Sequence, residues 1–441
     1  MIQADYYKVK QVKNPHDIIA SVPGSKSITN RALLIAAMGQ GRSTLSNVLF
    51  SDDSRHFLQA LIDLGFAVEI DEEHCVVSIE GMGGKVPCFE NAQRVNHKGY
   101  EVNGVINVGS AGTAARFLTA YLGLSKGSYY VDSSEQMKKR PMKELLDALR
   151  ELGAEITFVE EEDHFPFVIG NPEIAKAEVT VDVDKSSQFL SALLIVSVLL
   201  KEEMTIHVEG SHGMAYVRMT MDMMAQFGCT VEEDSPKTYR IPGASFYLPK
   251  AYAIEPDLSA ACYFYAMSLL LRVKVQVLGV VADSLQGDIW FLPVLCDMGC
   301  LLQEDEKGLI LLPPKGPILG GEWNLSAFSD QALTLAAIAP FANSKVVIQK
   351  VGHIRMQECD RIEAILKNLS AMGILCTEEE GTITIYPGDP KPCTIETYND
   401  HRVAMSFTLP GLVADGIVIQ DPACCRKTFE DYYEKLEEYV Y

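Results

Sequence analysis

Apolar and polar positions fall into a phrase that recurs six times along the chain. Each copy opens on polar or charged residues and runs into an apolar stretch, mostly rich in Ala, Leu and Met. The openings read Lys26-Ser27-Ile28-Thr29-Asn30-Arg31, Ser110-Ala111-Gly112-Thr113-Ala114-Ala115-Arg116, Ser186-Ser187-Gln188, Asp257-Leu258-Ser259, Ser329-Asp330-Gln331 and Asn399-Asp400-His401-Arg402. Their spacing, roughly 70 to 85 residues, marks an array of repeated supersecondary units. In five copies a second helical stretch stops at an apolar residue plus glycine: Leu64-Gly65, Leu152-Gly153, Phe227-Gly228, Met298-Gly299 and Met372-Gly373. Glycine ends a helix there because it adopts the left-handed conformation without steric cost. Short β-rich runs such as Val68-Glu69-Ile70 and Ile156-Thr157-Phe158 follow. Helix and strand therefore alternate, which predicts an α/β architecture.

The length of 441 residues suggests about two domains. Three repeats precede residue 254 and three follow it, with no low-complexity linker between them. Tyr247-Leu248-Pro249-Lys250 reads as a strand end with a turn, a crossing point between halves. Helix openings from both halves could then face a common cleft, where ligands commonly bind. The longest apolar run, Phe189 to Leu200, is too short to span a bilayer, and Met1-Ile2-Gln3-Ala4-Asp5 lacks a signal-peptide pattern. A cytoplasmic location is expected. The 11 cysteines are odd in number and lack paired metal-ligand spacing, so they read as reduced thiols. Cys424 and Cys425 adjoin Arg426 and Lys427, cations that could lower a thiol pKa, although a structural role is the simpler reading.

A formal net charge of −21 argues against nucleic acid and anionic membranes as partners, since the mean field repels polyanions. Small anions are a different matter. Lys26, Arg31, Arg116, Arg361, Arg402 and Lys427 lie in or near helix openings. Any one of them reads as a solvated surface charge. Their recurrence is the signal, because helix N-termini present free N–H groups and partial positive charge to anions.

Seven motifs carry a resemblance to a known family. Pro23-Gly24-Ser25-Lys26-Ser27-Ile28-Thr29-Asn30-Arg31-Ala32, Gly112-Thr113-Ala114-Ala115-Arg116, Lys139-Arg140-Pro141, Ser186-Ser187-Gln188-Phe189, Glu358-Cys359-Asp360-Arg361, Asn399-Asp400-His401-Arg402 and Lys427-Thr428-Phe429 stand in sequence order. In this order and spacing the chain resembles the 3-phosphoshikimate 1-carboxyvinyltransferase (EPSP synthase) family over nearly its whole length. The resemblance implies two similar domains, each of three βαβαββ units, with the active site in the cleft between them. The first domain would hold residues 22–254, and the second would combine 1–21 with 255–441. It also implies transfer of the enolpyruvyl group of phosphoenolpyruvate to the 5-hydroxyl of shikimate 3-phosphate, with release of phosphate, on the route to aromatic amino acids. No metal or redox cofactor is implied, and His401 beside Asp400 reads as part of the motif rather than as a ligand pair. A monomer is expected.

By the same resemblance, Lys26 contacts both substrates, Ser27 and Arg31 hold the shikimate carboxylate, and Ser186 and Ser187 donate to the 3-phosphate. Gln188 and Tyr216 shape the acceptor site, and Gln188 also reaches phosphoenolpyruvate. Gly112 admits phosphoenolpyruvate to the backbone, while Arg361, Arg402 and Lys427 clamp its anionic groups. Asp330 is the candidate for taking the hydroxyl proton, with Glu358 and Lys26 as candidates for proton transfer at the enolpyruvyl carbons. Read singly, Ser187 and Thr113 are ordinary helix caps and Asp330 an ordinary N-terminal carboxylate.

Five positions depart from the family pattern, one of them Phe117, which follows Arg116 where a proline is common. Gln136 stands where an arginine is usual, Gln357 where a lysine is, Gly213 where a serine is, and His353 where an asparagine is. Gln357 and Gly213 both fall in the 3-phosphate subsite, so restoring lysine and serine there is expected to strengthen it; one charge-assisted hydrogen bond is worth about 1.5 to 3 kcal/mol. Two alternatives therefore stay open: an enolpyruvyl transferase with another hydroxylated acceptor, and a weakly catalytic paralog that binds anions. A UDP-N-acetylglucosamine enolpyruvyl transferase fits less well, because the Ser133–Pro141 loop has no cysteine.

Overall fold

Each polar phrase opens a helix. The six helices are Lys26–Met38, Gly112–Gly123, Gln188–Val196, Leu258–Leu271, Ala332–Ile338 and His401–Val413, the fifth entered through a 3-10 turn at Ser329–Gln331. They are apolar on all sides and buried accordingly; every residue of Leu258–Leu271 is buried. The second helices are Asp52–Asp63, Lys143–Glu151, Met214–Gln226, Phe291–Asp297 and Arg361–Ala371. These bury one face only, and each ends at one of the five glycines, whose φ is positive in every case.

The computed structural model describes residues 5–441. Met1–Ala4, part of the opening read above for a leader, lie outside the described residues. The chain divides into two compact units, Gly24–Ile254 and the segment up to Pro23 together with Glu255–Tyr441.

Within Gly24–Ile254 each repeat forms a four-stranded sheet on one plan. Glu178–Asp182 runs parallel to Met204–Glu209, which pairs antiparallel with Thr238–Ile241, and that strand pairs with Glu232–Ser235. Gly104–Asn107, Ser128–Asp132, Phe167–Gly170 and Glu155–Phe158 repeat the order. In the sheet of Gln40–Ser46, Val76–Met82 and Val68–Asp71, the parallel first strand is Ala251–Ala253, from the far end of the unit. The inner helices Lys26–Met38, Gly112–Gly123 and Gln188–Val196 pack together beneath these sheets.

The second unit follows the same plan. Ile18–Ala20 runs parallel to Val275–Val277 in a sheet completed by Gly308–Leu312 and Leu301–Asp305. Glu322–Asn324, Val346–Gln349, Thr382–Ile385 and Cys376–Glu379 form the next. The last sheet has three strands, Cys393–Ile395, Ile417–Gln420 and the N-terminal Tyr6–Lys8. The two units have thus exchanged first strands: Ile18–Ala20 precedes helix Lys26–Met38 in sequence, and Ala251–Ala253 precedes helix Leu258–Leu271. Asp257 N–H donates to the Pro23 carbonyl at 2.8 Å, tying the two passing segments to each other. The crossing therefore lies at Ile254 and Glu255. The segment Tyr247–Lys250, expected to be a strand end, is a lead-in without strand pairing, anchored by the buried Tyr247 hydroxyl on the Ile195 carbonyl at 2.9 Å.

All 11 cysteines are free thiols. Burial pushes the Cys425 thiol well above its usual range, so the neighbouring cations do not activate it. Among the described residues no helix is long and apolar enough to cross a membrane.

Candidate active site

In Gly24–Ile254 the candidate residues converge on one guanidinium. Arg31 lies just over one turn into its helix and is 2% exposed. Its Nε donates to Thr220 Oγ1 at 2.7 Å and Nη1 to the Ser27 carbonyl at 2.9 Å. Nη2 reaches the Tyr216 carbonyl at 3.2 Å and the Ser191 hydroxyl at 3.4 Å, and the Phe117 ring centroid stands 5.3 Å from the guanidinium carbon. Four helices hold this group, yet every acceptor is neutral. No carboxylate pairs with Arg31 among the described residues, and burial pulls its pKa down to about 10. A buried cation without a counter-charge carries a desolvation penalty of several kcal/mol, so the pocket gains when an anion enters it. Thr220 and Ser191 escaped the sequence reading; their signal was the spacing of four from Tyr216 and from Ser187 on helices already identified.

The neighbouring helix starts show the same preparation. Lys26 Nζ lies 3.6 Å from Asp53 Oδ2, a partner that sequence gave no reason to choose. Ser187 stands at the N-cap of Gln188–Val196, but its hydroxyl accepts no capping hydrogen bond; Ser186 Oγ accepts the Gln188 N–H instead, at 3.3 Å. Gln188 Nε2 donates to Thr113 Oγ1 at 3.4 Å, and its Oε1 is buried without a partner among the described residues. A Cβ on Gly112 would stand 2.6 Å from Arg140 Nη1 and 2.9 Å from Arg116 Nη1, so two guanidinium groups close on this helix start and a side chain here would displace them. Arg140 was legible only as part of the Lys139-Arg140-Pro141 motif. Gln136 occupies the short helix Glu135–Lys138 and makes no side-chain hydrogen bond among the described residues.

Gly213 overturns an expectation. It is the N-cap of Met214–Gln226 with φ 67° and ψ 26°, in the left-handed region. A Cβ there would meet Ser187 Oγ at 2.4 Å and Ser187 Cβ at 2.8 Å. Serine at 213 would meet both backbone strain and a clash with a candidate phosphate ligand, so it cannot simply add a donor here.

The second unit gathers its candidates around Asp330, which is 9% exposed. Arg361 Nη1 donates to Asp330 Oδ1 at 2.7 Å, and Arg402 Nη2 lies 2.9 Å from Asp330 Oδ2. Arg361 Nε donates to Asp400 Oδ2 at 2.7 Å and Nη2 to Asp400 Oδ1 at 3.3 Å, while Gln357 Oε1 accepts from Nη1. Burial alone would lower the Arg361 pKa, but the charges of Asp400 and Asp330 raise it above its usual value. Asp400 also caps its helix by accepting the Arg402 N–H at 2.8 Å. Lys427 Nζ forms an ion pair with Glu358 Oε2 at 2.9 Å, and His353 Nε2 lies 2.8 Å from the Ser329 hydroxyl. Asp330, Gln357, Arg361 and Arg402 thus form one contact group, Glu358 with Lys427 a second, and His353 touches the residue before Asp330. Here, unlike at Arg31, each cation already has a carboxylate. Asp400, given no role from sequence, is the group that holds Arg361 in place.

Chemically, one unit presents a buried guanidinium with hydroxyl-lined helix starts, suited to an anionic polyol. The other presents three cations interleaved with carboxylates, suited to an anion whose reaction needs protons moved. Among the described residues no group of three or more His, Cys, Asp or Glu is arranged to hold a metal ion.

Comparison with known proteins agrees in extent and kind. The 3-phosphoshikimate 1-carboxyvinyltransferase of Trichormus variabilis is 38% identical over 433 residues, covering 98% of each chain. A 3-phosphoshikimate 1-carboxyvinyltransferase 2 of Halalkalibacterium halodurans is 37% identical over 425 residues, 95% of this chain and 91% of its own. The fold matches the solved EPSP synthase of Acinetobacter baumannii with a TM-score of 0.79 at 23% identity, over 99% of this chain and 98% of that one. It also matches the enolpyruvyl transferase NikO of Streptomyces tendae with a TM-score of 0.71 at 14% identity, over the same shares. The sequence model of EPSP synthase (3-phosphoshikimate 1-carboxyvinyltransferase) fits residues 11–436, and with relatives this similar over this much of the chain, it belongs to the EPSP synthase family.

Proposed function

We propose that this protein transfers the enolpyruvyl group of phosphoenolpyruvate to the 5-hydroxyl of shikimate 3-phosphate and releases inorganic phosphate. Addition of the hydroxyl to C2 of phosphoenolpyruvate needs a proton delivered to C3 and the hydroxyl proton removed. Elimination of phosphate then takes a proton back from C3, so atoms and charge balance without a redox step. The observation that carries the reading is that each candidate base is paired with candidate anion-binding cations, Asp330 with Arg361 and Arg402 and Glu358 with Lys427. Asp330 takes the hydroxyl proton, and Glu358 and Lys26 serve proton transfer at C3. Arg361, Arg402 and Lys427, with Gly112 and Gln188, hold phosphoenolpyruvate; Lys26, Ser27, Arg31, Ser186, Ser187, Gln188 and Tyr216 hold the acceptor.

By this reading the two substrates draw on groups contributed by residues 22–254 and on groups contributed by 255–441. A monomeric state and a cytoplasmic location belong to it as well. A second acceptor class, lacking the phosphate, is favoured by one observation: Gln357 is neutral and engages Arg361. Phosphate release by the purified full chain, supplied with phosphoenolpyruvate and either shikimate 3-phosphate or shikimate, tests both. Turnover with shikimate 3-phosphate is expected; turnover with shikimate alone would replace the first reading by the second, and none with either would remove both.

A further inference from the structure

One buried carboxylate next to the candidate base has no part in the chemistry above. Asp288 sits in the turn Gly287–Trp290 and is 3% exposed. Its Oδ1 accepts from Gln331 Nε2 at 2.6 Å and from the Ser259 hydroxyl at 3.1 Å, both neutral donors. No cation forms an ion pair with it among the described residues. Burial and the nearby charge of Asp330 push its carboxyl up to about 6, with Arg402 opposing them. An apolar residue would fill such a place at less cost, so the contact it makes needs a reason.

The reason lies in what Gln331 is attached to. It is the last residue of the 3-10 turn Ser329–Gln331, and so the immediate neighbour of Asp330. Gln331 is fully buried, and its Oε1 accepts the Thr334 hydroxyl at 2.9 Å, so both ends of the amide are fixed. The turn is short and its cap residue Phe328 makes no side-chain capping bond. Its orientation therefore depends on side-chain ties: His353 holds Ser329 on one side of Asp330, and Asp288 holds Gln331 on the other. Asp288 is itself anchored: Gln286, two residues earlier, donates through Nε2 to the Pro256 carbonyl at 2.8 Å and to Glu255 Oε2 at 3.1 Å. Gln286 Oε1 accepts the Leu258 N–H at 3.0 Å. The tie thus runs from the segment entering this unit at Glu255 to the turn that carries Asp330.

We propose that Asp288 is a positioning residue: by accepting the Gln331 amide it fixes the Ser329–Gln331 turn, and with it the Asp330 carboxylate between Arg361 and Arg402. This rests on the reading of Asp330 as the base for the acceptor hydroxyl. A misplacement of about an ångström at such a group costs on the order of 100-fold in rate, without touching the bound substrate's other contacts.

The test is steady-state phosphate release by the full chain, with folding checked by circular dichroism. Asp288→Ala should lower kcat roughly 30- to 100-fold with both KM values within about threefold. Asp288→Asn keeps an acceptor oxygen for Gln331 and should restore kcat to within about threefold of wild type. Gln331→Met cuts the same contact from the other side and should match Asp288→Ala; it also serves if the alanine variant does not fold. The double variant Asp288→Ala with Gln331→Met should lose little beyond either single change. Near-normal kcat in folded Asp288→Ala or in Gln331→Met overturns the proposal, as do multiplicative losses in the double variant or failure of Asn to rescue. Inactive wild type would instead remove the parent reading and this inference with it, so the two failures are told apart by the control.

Discussion

A side chain built on Gly213 would collide with Ser187, its Cβ 2.4 Å from the serine Oγ, on a backbone already at φ 67°. The glycine therefore fits the position, and the two departures in the proposed 3-phosphate subsite are not equivalent. Gln357 is set by no such constraint; it is partly exposed and its amide oxygen rests on Arg361.

Gln357→Lys alone is expected to tighten shikimate 3-phosphate by roughly tenfold, in line with one added charge-assisted contact. Gly213→Ser is expected to weaken it and to destabilise the fold by about 1 to 2 kcal/mol from left-handed strain alone. Acceptor KM and thermal midpoints of the two single variants decide the matter. Tighter binding in Gly213→Ser would mean that the helix start relaxes to accept the side chain.

The repeats were legible because their signals are local. A polar cap before an all-apolar helix, and a glycine after an amphipathic one, depend on nearest neighbours in the chain. No residue pattern gave the strand exchange, which only the family resemblance implied by placing 1–21 with 255–441, since Ile18–Ala20 and Ala251–Ala253 are short apolar strands that would suit either sheet. Among site residues, Arg31 reaches the backbone carbonyls of Ser27 and Tyr216, contacts that involve neither side chain and that no motif specifies. Asp53, Asp288 and Asp400 act through contacts 27 or more residues away in sequence, and no spacing rule connects Asp288 to Gln331. Gly213 was misjudged because its backbone angle and its distance from Ser187 are properties of the fold alone.

Arg31→Met should separate stability from binding. Removing a buried cation that lacks a counter-charge relieves desolvation, so the free protein is expected to keep or raise its thermal midpoint. Acceptor KM should rise roughly 10- to 100-fold, and the midpoint shift that shikimate 3-phosphate gives wild type should shrink. A large fall in midpoint with unchanged KM would make Arg31 a structural residue.

Asp330→Ala leaves Arg361 and Arg402 facing each other without the carboxylate between them. Turnover should fall about 100-fold or more, as for loss of a proton-transfer group. Phosphoenolpyruvate binding measured by calorimetry should hold or strengthen, because the two guanidinium groups lose a competing internal anion. Near-wild-type turnover in the folded variant would take Asp330 out of the reaction.

Two carboxylates of this unit respond to pH with opposite sign. For Asp400 burial alone would raise the pKa, but Arg361 and His401 overcome it and hold the group below its usual 3.8. Its stabilising effect is therefore complete above about 4 and is lost as pH falls through the depressed value. Asp288 is raised, so its unfolded form ionises first: the folded state is favoured in acid, and that advantage fades as pH climbs from about 4 through about 6. Asp288→Asn cannot ionise, so its thermal midpoint should exceed that of wild type at pH 7.5, with the gap narrowing below pH 6 and closing only below about pH 4. Asp400→Asn leaves Arg361 buried with one carboxylate fewer and should lower the midpoint at pH 7.5, by an amount corresponding to about 3 to 5 kcal/mol. That deficit should shrink only below pH 4. Thermal melts of the three proteins across this range check both signs at once, and a midpoint for Asp288→Asn below wild type at pH 7.5 would show that Asp288 is stabilised as the ion.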